Sequence, residues 1–484
     1  MRKFIISSKV KGIFGVSASN LLSLALSMIT SFLLPLFISV EEYGYWQLFV
    51  LYNSYIGFFI LGFNDGVHLN YAAFDYDSQL AKKFAGFKRF LSIMTVIESL
   101  LLLTFYLVFF KNDSKDFYVV LLVIFNLIPT GLNGLFTYMN QATMRFRYYA
   151  ISTIIDKILF VLIMIVLIVF GMKNSIYYIA AFTATRYCVI IYHYFTSKEV
   201  FTATPTALKE LRPEIVANFR DGFALMIAVI LGNSIIVGSR LLVKAKYGIE
   251  TFGAFSFSIH TIVIASQFIT AIASVFYPIL KRCKANELKN AYVTLDKSSS
   301  LLSILLLLSY YPVALIVLFV YTKYNSILSY LMFVYPLFIF QCKSSLLITN
   351  VYKVRNKIFS LILANSAAIV IHLLLVFLAY NLFHSVTAIA IAVLMAYGLW
   401  YYIFQNHIFR KEGWSDNIAF PVDALMIVLF IFVNISVSFL SFEKQWMVIL
   451  IQMAVFSVVI ALIGLVTKNK VHSILRETYL LLKD

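Results

Sequence analysis

The feature that most limits what this chain can fold into is the recurrence of long apolar runs along its 484 residues. About twenty apolar residues in a helix cross the hydrocarbon core of a bilayer. Fourteen such runs can be placed. Six lie near Ile13–Ile38, Tyr45–Gly66, Phe90–Phe110, Phe117–Asn140, Ala150–Gly171 and Ser175–Phe195. Six more lie near Phe219–Val243, Phe252–Leu280, Ser298–Val320, Asn325–Asn350, Ile358–Tyr380 and Ser385–His407, and a last pair near Val422–Leu440 and Trp446–Thr467. Lipid offers no partner to an open backbone group, so each run is read as a helix. Barrel strands would alternate in short segments, and these runs are continuous. Composition agrees: 62% of residues are hydrophobic and 13% charged, against about 25% charged in soluble domains.

Charge sets the orientation. With an even number of spans both termini share a side. That side carries 28 of the 39 Lys and Arg, the opposite side seven, and the spans four. Positive loops face the cytoplasm, so both termini of this inner-membrane-type chain are expected there. The formal net charge of +17 is explained by these loops, and no nucleic-acid partner is expected. Behind Met1-Arg2-Lys3 the first apolar run is too long for a signal-peptide core and reads as an uncleaved span. Cys188, Cys283 and Cys342 have no paired spacing and read as inert core thiols.

An internal repeat divides the spans. The turn Val40-Glu41-Glu42-Tyr43-Gly44-Tyr45-Trp46 matches Ile249-Glu250-Thr251-Phe252-Gly253-Ala254-Phe255 at an offset of 209 residues. Glu41, Gly44, Glu250 and Gly253 are its fixed points. Met144-Arg145-Phe146-Arg147 is similar to Val354-Arg355-Asn356-Lys357, and Pro129 has a near counterpart in Pro336. Each unit holds an even number of spans, so the two run parallel, related by an axis along the membrane normal. The expected organisation is a six-helix bundle over 1–195, a cytoplasmic linker over 196–218, a second six-helix bundle over 219–407, two additional helices over 408–467 and a cytoplasmic amphipathic tail over 468–484. In transporters of this plan the substrate sits between the halves.

No nucleotide loop, metal-binding pair or nucleophile elbow is present, so neither an enzyme nor a cofactor is expected. Charge inside a span costs about 2.5–3.5 kcal/mol and faces a cavity or a partner. Arg186, Lys343, Arg240 and Lys244 are therefore candidates for a cationic cavity that draws phosphate, with Asn20 and Asn233 as further lining. Glu98 is a candidate ion-coupling or counter-charge site, with basic residues outnumbering it inside the spans. Asp156 and Lys157 read as interfacial. His260 and His372 read as packing histidines or as proton relays. The tail, with Val471, Ile474, Leu475 and Leu482 at helical spacing, reads as an inner-surface anchor.

The segment from Ser39 to Phe49, followed by Leu61-Gly62-Phe63-Asn64-Asp65-Gly66, resembles the start of polysaccharide repeat-unit (O-antigen, Wzx-like) flippases. These belong to the multidrug/oligosaccharidyl-lipid/polysaccharide exporter superfamily. The resemblance implies an all-α, MATE-like fold of two six-helix bundles plus two helices. It implies transfer of an undecaprenyl-pyrophosphate-linked oligosaccharide, as in lipopolysaccharide assembly, from the cytoplasmic to the outer leaflet. A basic central cavity and coupling to sodium or protons come with it. Partners would be the lipid-linked oligosaccharide, membrane lipids and other polysaccharide-assembly membrane proteins. Two other readings stand beside it: a multidrug or cation antiporter of the same superfamily, and a membrane-embedded enzyme of polysaccharide synthesis.

Overall fold

The computed structural model describes residues 2–483 except 73, 111–114, 283–284, 349–350, 352–357, 412–419 and 441. Side chains of 2–18, 228–229, 233, 263–265, 267–288, 345, 358, 408–411, 420 and 478–483 also lie outside the described set. Every regular element among the described residues is helical. Ten helices among the described residues are long and apolar enough to cross a membrane, or up to twelve if each of two bent pairs is one span. Of the fourteen expected spans, the two outside this set are Ser175–Phe195 and Phe252–Leu280. The first forms a 22-residue helix made less apolar by Arg186 and five tyrosines. The second runs over residues whose side chains are not described. Lipid is the solvent for much of the surface: only 17% of the apolar window in Ser78–Phe109, and the same share in Gln445–Val466, is buried by the protein. The chain is a multi-pass membrane protein.

The chain forms two compact units, residues 1–230 and 231–484. The first holds α1 (Arg2–Phe37), α2 (Val40–Asn53), α3 (Phe63–Tyr71), α4 (Ser78–Phe109), α5 (Lys115–Ala142), α6 (Phe146–Val169), α7 (Ser175–Thr196), α8 (Lys198–Thr202) and most of α9 (Leu208–Ser234). Polar residues set several starts. Ser39 accepts from Glu42 N at 3.2 Å, Asp77 from Leu80 N at 2.7 Å and Asn174 from Ile176 N at 3.0 Å. Each occupies one of the donors that the first turn leaves open. Gly62, at φ +75°, separates α2 and its short 3₁₀ extension from α3, and the pair bends by 55°.

Pro129 sits inside an unbroken α5. Proline removes the N–H that would serve the carbonyl four residues earlier. That carbonyl, of Phe125, instead accepts from the Tyr187 hydroxyl of α7 at 2.8 Å, so a neighbouring helix restores the bond lipid cannot supply. Pro336, its expected counterpart, lies at a 52° break between two short helices.

The expected linker 196–218 is largely helical and packs into the first unit. Val200, Leu211 and Ile215 join the core built by Phe63, Phe84, Phe87 and Phe136. Thr206 N donates to Lys82 O at 3.2 Å. The boundary falls instead within α9, because its first half lies against α3 where three glycines let the backbones meet. A Cβ on Gly66 would stand 2.5 Å from the Asn218 carbonyl carbon, and one on Gly222 the same distance from Gly66 N.

The second unit holds α10 (Val237–Arg282), α11 (Ala285–Leu307), α12 (Tyr310–Phe319), α13 (Leu328–Val334), α14 (Leu337–Lys343), α15 (Ile358–Phe383), α16 (Val386–Lys411), α17 (Phe420–Ser438), α18 (Gln445–Val466) and α19 (Lys468–Lys483). Gly248, at φ +84°, interrupts α10 directly before Ile249, so the repeated motif opens a helix in each unit. Its aromatic and glycine positions are buried: Tyr43 and Gly44 in one copy, Phe252 and Gly253 in the other. Glu41 and Glu250 are exposed. In the first copy the anchoring carboxylate is the next residue, Glu42, which pairs with Lys115 and accepts from Ser175 N at 2.8 Å.

The two helices expected as additions, α17 and α18, are integral to this unit. Phe430 and Phe456 pack at 5.3 Å, and Phe430 meets Tyr310 edge-on at 5.1 Å. The tail helix α19 lies along α11, where Thr294 Oγ1 donates to Glu477 Oε2 at 3.4 Å.

Candidate functional site

In the first unit, α1, α6 and α7 bring intramembrane polar residues together. On α1, Ser23 and Ser27 stand one turn apart on the face that packs along α6, with Asn20 one turn before them. Lys157 Nζ donates to Ser27 Oγ at 2.9 Å and to Ser23 O at 3.4 Å. Tyr149, two turns before Lys157, donates to Asn20 Oδ1 at 3.4 Å. Asp156 accepts from Lys157 N at 2.9 Å and faces Arg186 Nε at 3.5 Å. Arg186 lies over Phe182, its backbone carbonyl held by Asn133 Nδ2 at 2.9 Å.

Asp156 thus faces the Arg186 cation and binds the Lys157 backbone N–H, while the Lys157 ammonium is held by neutral oxygens of α1, so two cations and one carboxylate leave the group a net positive charge. Asp156 is buried while the Arg186 side chain keeps 28% of its surface open, so the outer guanidinium can still be reached. A guanidinium presents a planar fork that matches phosphate oxygens. Sequence reading placed Arg186 and Asn20 among the candidates but set Asp156 and Lys157 at the interface. The structure brings Arg186, Asp156 and Lys157 together and sets Asn20 against Tyr149, two turns earlier on α6. The polar positions 20, 23 and 27 in an apolar helix are a signal that the sequence reading left unused.

Lys343 has a different setting from the expected anion-drawing cavity. It ends α14 fully enclosed, donating to Asp296 Oδ1 at 2.9 Å, Ser300 Oγ at 2.6 Å and Asp423 Oδ2. Tyr401 OH donates to Asp296 Oδ1 at 3.1 Å and Gln405 Nε2 to Asp296 Oδ2 at 2.9 Å. A lysine in this position is neutralised and shut away from any substrate. Glu98 is also joined by other acids on the apolar helices, since Asp156, Asp296 and Asp423 are all buried. The two carboxylates escaped notice because each sits at the edge of an apolar run, where charge is unremarkable.

Arg240 is buried, donates from Nε to Ser256 Oγ at 3.2 Å and lies over the repeat residue Phe252. Lys244 follows one turn later, half-buried. The Asn233 side chain lies outside the described residues. Glu98 is half-buried on α4, and its Oε2 has no hydrogen-bond partner among the described residues. His372 is buried with neither ring nitrogen bonded among the described residues. Cys342 is buried as expected, Cys188 is exposed, and Cys283 lies outside the described residues.

The chain is similar in structure to lipid II flippase MurJ in an inward closed conformation, with a TM-score of 0.62 at 13% identity over 94% of this chain and 99% of that one. It is similar to a multidrug resistance MATE family transporter of the MOP superfamily in an inward-facing conformation, with a TM-score of 0.60 at 12% identity over 82% and 99%. A MOP superfamily transporter from Pyrococcus furiosus, described as having a binding pocket of reverse polarity, gives 0.53 at 12% identity over 83% and 96%. At these identities the likeness is one of fold: the chain has a MATE-like fold, shared with these transporters and with the flippase. Comparison with curated proteins gives no significant match. The profile of the polysaccharide biosynthesis protein family, Polysacc_synt, matches residues 9–284. That is more than half of the chain, and the protein belongs to the polysaccharide biosynthesis protein family.

Proposed function

We propose that this protein is a flippase, and no enzyme, that carries an undecaprenyl-pyrophosphate-linked oligosaccharide repeat unit from the cytoplasmic to the outer leaflet of a bacterial inner membrane. It works by alternating access, with both termini in the cytoplasm. The single observation that carries this reading is the Arg186–Asp156–Lys157 group. It is a net-positive, partly open site on apolar helices, where an anionic diphosphate gains most from a charge-assisted fork. Family membership and a fold shared with a lipid II flippase support the same class of cargo.

Coupling to sodium or protons belongs to the proposal. Glu98, with an unpartnered buried oxygen, is its candidate residue in the first unit. The cation-antiporter reading draws on the same fold. It needs acidic groups open to a cationic substrate, and the open charge of the Arg186 group has the opposite sign.

The test is flipping of a lipid-linked sugar into sealed vesicles. Arg186→Ala should reduce the rate at least tenfold while Arg186→Lys retains part of it, with both variants inserted at normal levels. Unchanged flipping in Arg186→Ala, or efflux of cationic drugs in its place, would sink the reading.

A further inference from the structure

The two carboxylates that share Lys343 are unequally served. Asp296 accepts from Lys343, Tyr401 and Gln405, which engages both of its oxygens. Asp423 accepts at Oδ2 from Lys343, and its Oδ1 is buried with no hydrogen-bond partner among the described residues. The lysine has three N–H donors. All three are spent, on Asp296, Ser300 and Asp423. Asp423 therefore holds a share of one ammonium and a bare oxygen in a site where it is 1% exposed, and the nearby Ser300 hydroxyl donates to the Asp296 backbone carbonyl at 3.1 Å. An ionised carboxylate with an unmet buried oxygen is a costly state, and a proton on that oxygen removes the charge.

A metal cation fits less well. Hard cations take about six oxygen ligands, and beside Asp423 Oδ1 the group has one further bare acceptor among the described residues, Gln405 Oε1. Two carboxylates in contrasting environments around one base divide into a proton carrier and a fixed charge.

We propose that Asp423 is a proton-binding site in the second unit, loaded and emptied at Oδ1, with Lys343 and Asp296 as its positioning residues. The titratable groups that face it are Lys343 of α14, Asp296 of α11 and Tyr401 of α16, with Tyr292 of α11 beside Tyr401. Glu477 of α19 reaches α11 at Thr294. The other helices packed on α17, α13 and α18, carry no charged residue. When Asp423 is ionised it holds the lysine towards α17. When it is protonated the lysine is left to Asp296, so the tie between α14 and α17 follows the proton. The site does not depend on the identity of the cargo.

The test is pH-difference infrared spectroscopy of the full chain in liposomes, reading the C=O stretch of a buried carboxylic acid. Glu98→Gln, which removes the other carboxyl with a buried, unpartnered oxygen among the described residues, should keep a titrating band that adding Asp423→Asn abolishes. Lys343→Met takes away the ammonium and should move the midpoint to higher pH. Asp296→Asn gives the lysine to Asp423 alone and should move it to lower pH. Each shift should reach at least about one pH unit, tenfold in proton affinity. Sodium added at constant pH should leave the band in place. A band that survives in folded Glu98→Gln/Asp423→Asn, or that sodium abolishes, overturns the proposal. If Asp423→Asn does not fold, the opposite shifts in the other two variants decide, and shifts of one sign or none overturn it. Loss of flipping with the band intact would count against the flippase reading alone.

Discussion

The crossing of α3 and α9 yields a prediction whose size follows from distances. Gly66 and Gly222 let the two backbones touch. A Cβ at Gly66 would lie 2.5 Å from the Asn218 carbonyl carbon and 2.6 Å from its Cα, where ordinary contact begins at 3.4 Å. Because the obstacle is backbone, no side chain can rotate out of the way. Gly66→Ala must part the helices by roughly 1 Å, and such overpacking costs about 1–3 kcal/mol. That corresponds to about a 5- to 150-fold fall in the population of the crossed arrangement.

The same movement would carry Asn70 Nδ2, 3.0 Å from Asn218 Oδ1, beyond hydrogen-bond reach, which ends near 3.5 Å. With Cys188, Cys283 and Cys342 replaced, the Asn70→Cys/Asn218→Cys pair should join rapidly through a short thiol cross-linker. Adding Gly66→Ala or Gly222→Ala should slow that reaction by a factor in the same range. Gly57→Ala is the control, since nothing lies within 4 Å of its added carbon. Cross-linking at an unaltered rate in both crossing variants would refute the reasoning. It would show that the helices are not held by backbone contact.

Other perturbations test single contacts. Lys343→Ala leaves two buried carboxylates without their ammonium and should cost about 3–5 kcal/mol, read as a lower unfolding temperature in detergent. The triple variant Lys343→Met/Asp296→Asn/Asp423→Asn removes the charges together and should recover most of the loss. Tyr187→Phe strips the Phe125 carbonyl of its donor and should cost about 1–3 kcal/mol, whereas Tyr194→Phe, on an exposed part of the same helix, should be near neutral. Glu42→Ala frees the Ser175 N–H at the start of α7 and should cost about 0.5–2 kcal/mol. Glu41→Ala, one residue away and exposed, should cost far less, and equal costs would show that the repeat motif anchors through its first glutamate.

How much was legible varied with the kind of question. Hydropathy is a property of single segments, so the spans could be located one by one, and ten to twelve of them satisfy the same criteria in the folded chain. The repeat could be read because a turn that opens a helix after a break is local: Ser39 caps one copy and Gly248 breaks the chain before the other. Even there, the choice between Glu41 and Glu42 depended on Lys115 and Ser175, more than seventy residues away.

Composition and periodicity determined that this chain is a helical membrane protein built of repeated spans. That follows from the solvent: each segment must meet lipid or water by itself. The tertiary structure alone decided what the intramembrane charges mean. Arg186 keeps an open positive end because Asp156 meets it at Nε alone, and the Lys157 ammonium beside it is bound by neutral oxygens of α1. Lys343 is silenced because Asp296 and Asp423, 47 and 80 residues away, close on it. The cost of a charge in low dielectric is set by what stands within a few ångströms of it, and packing, more than sequence spacing, brings those neighbours together.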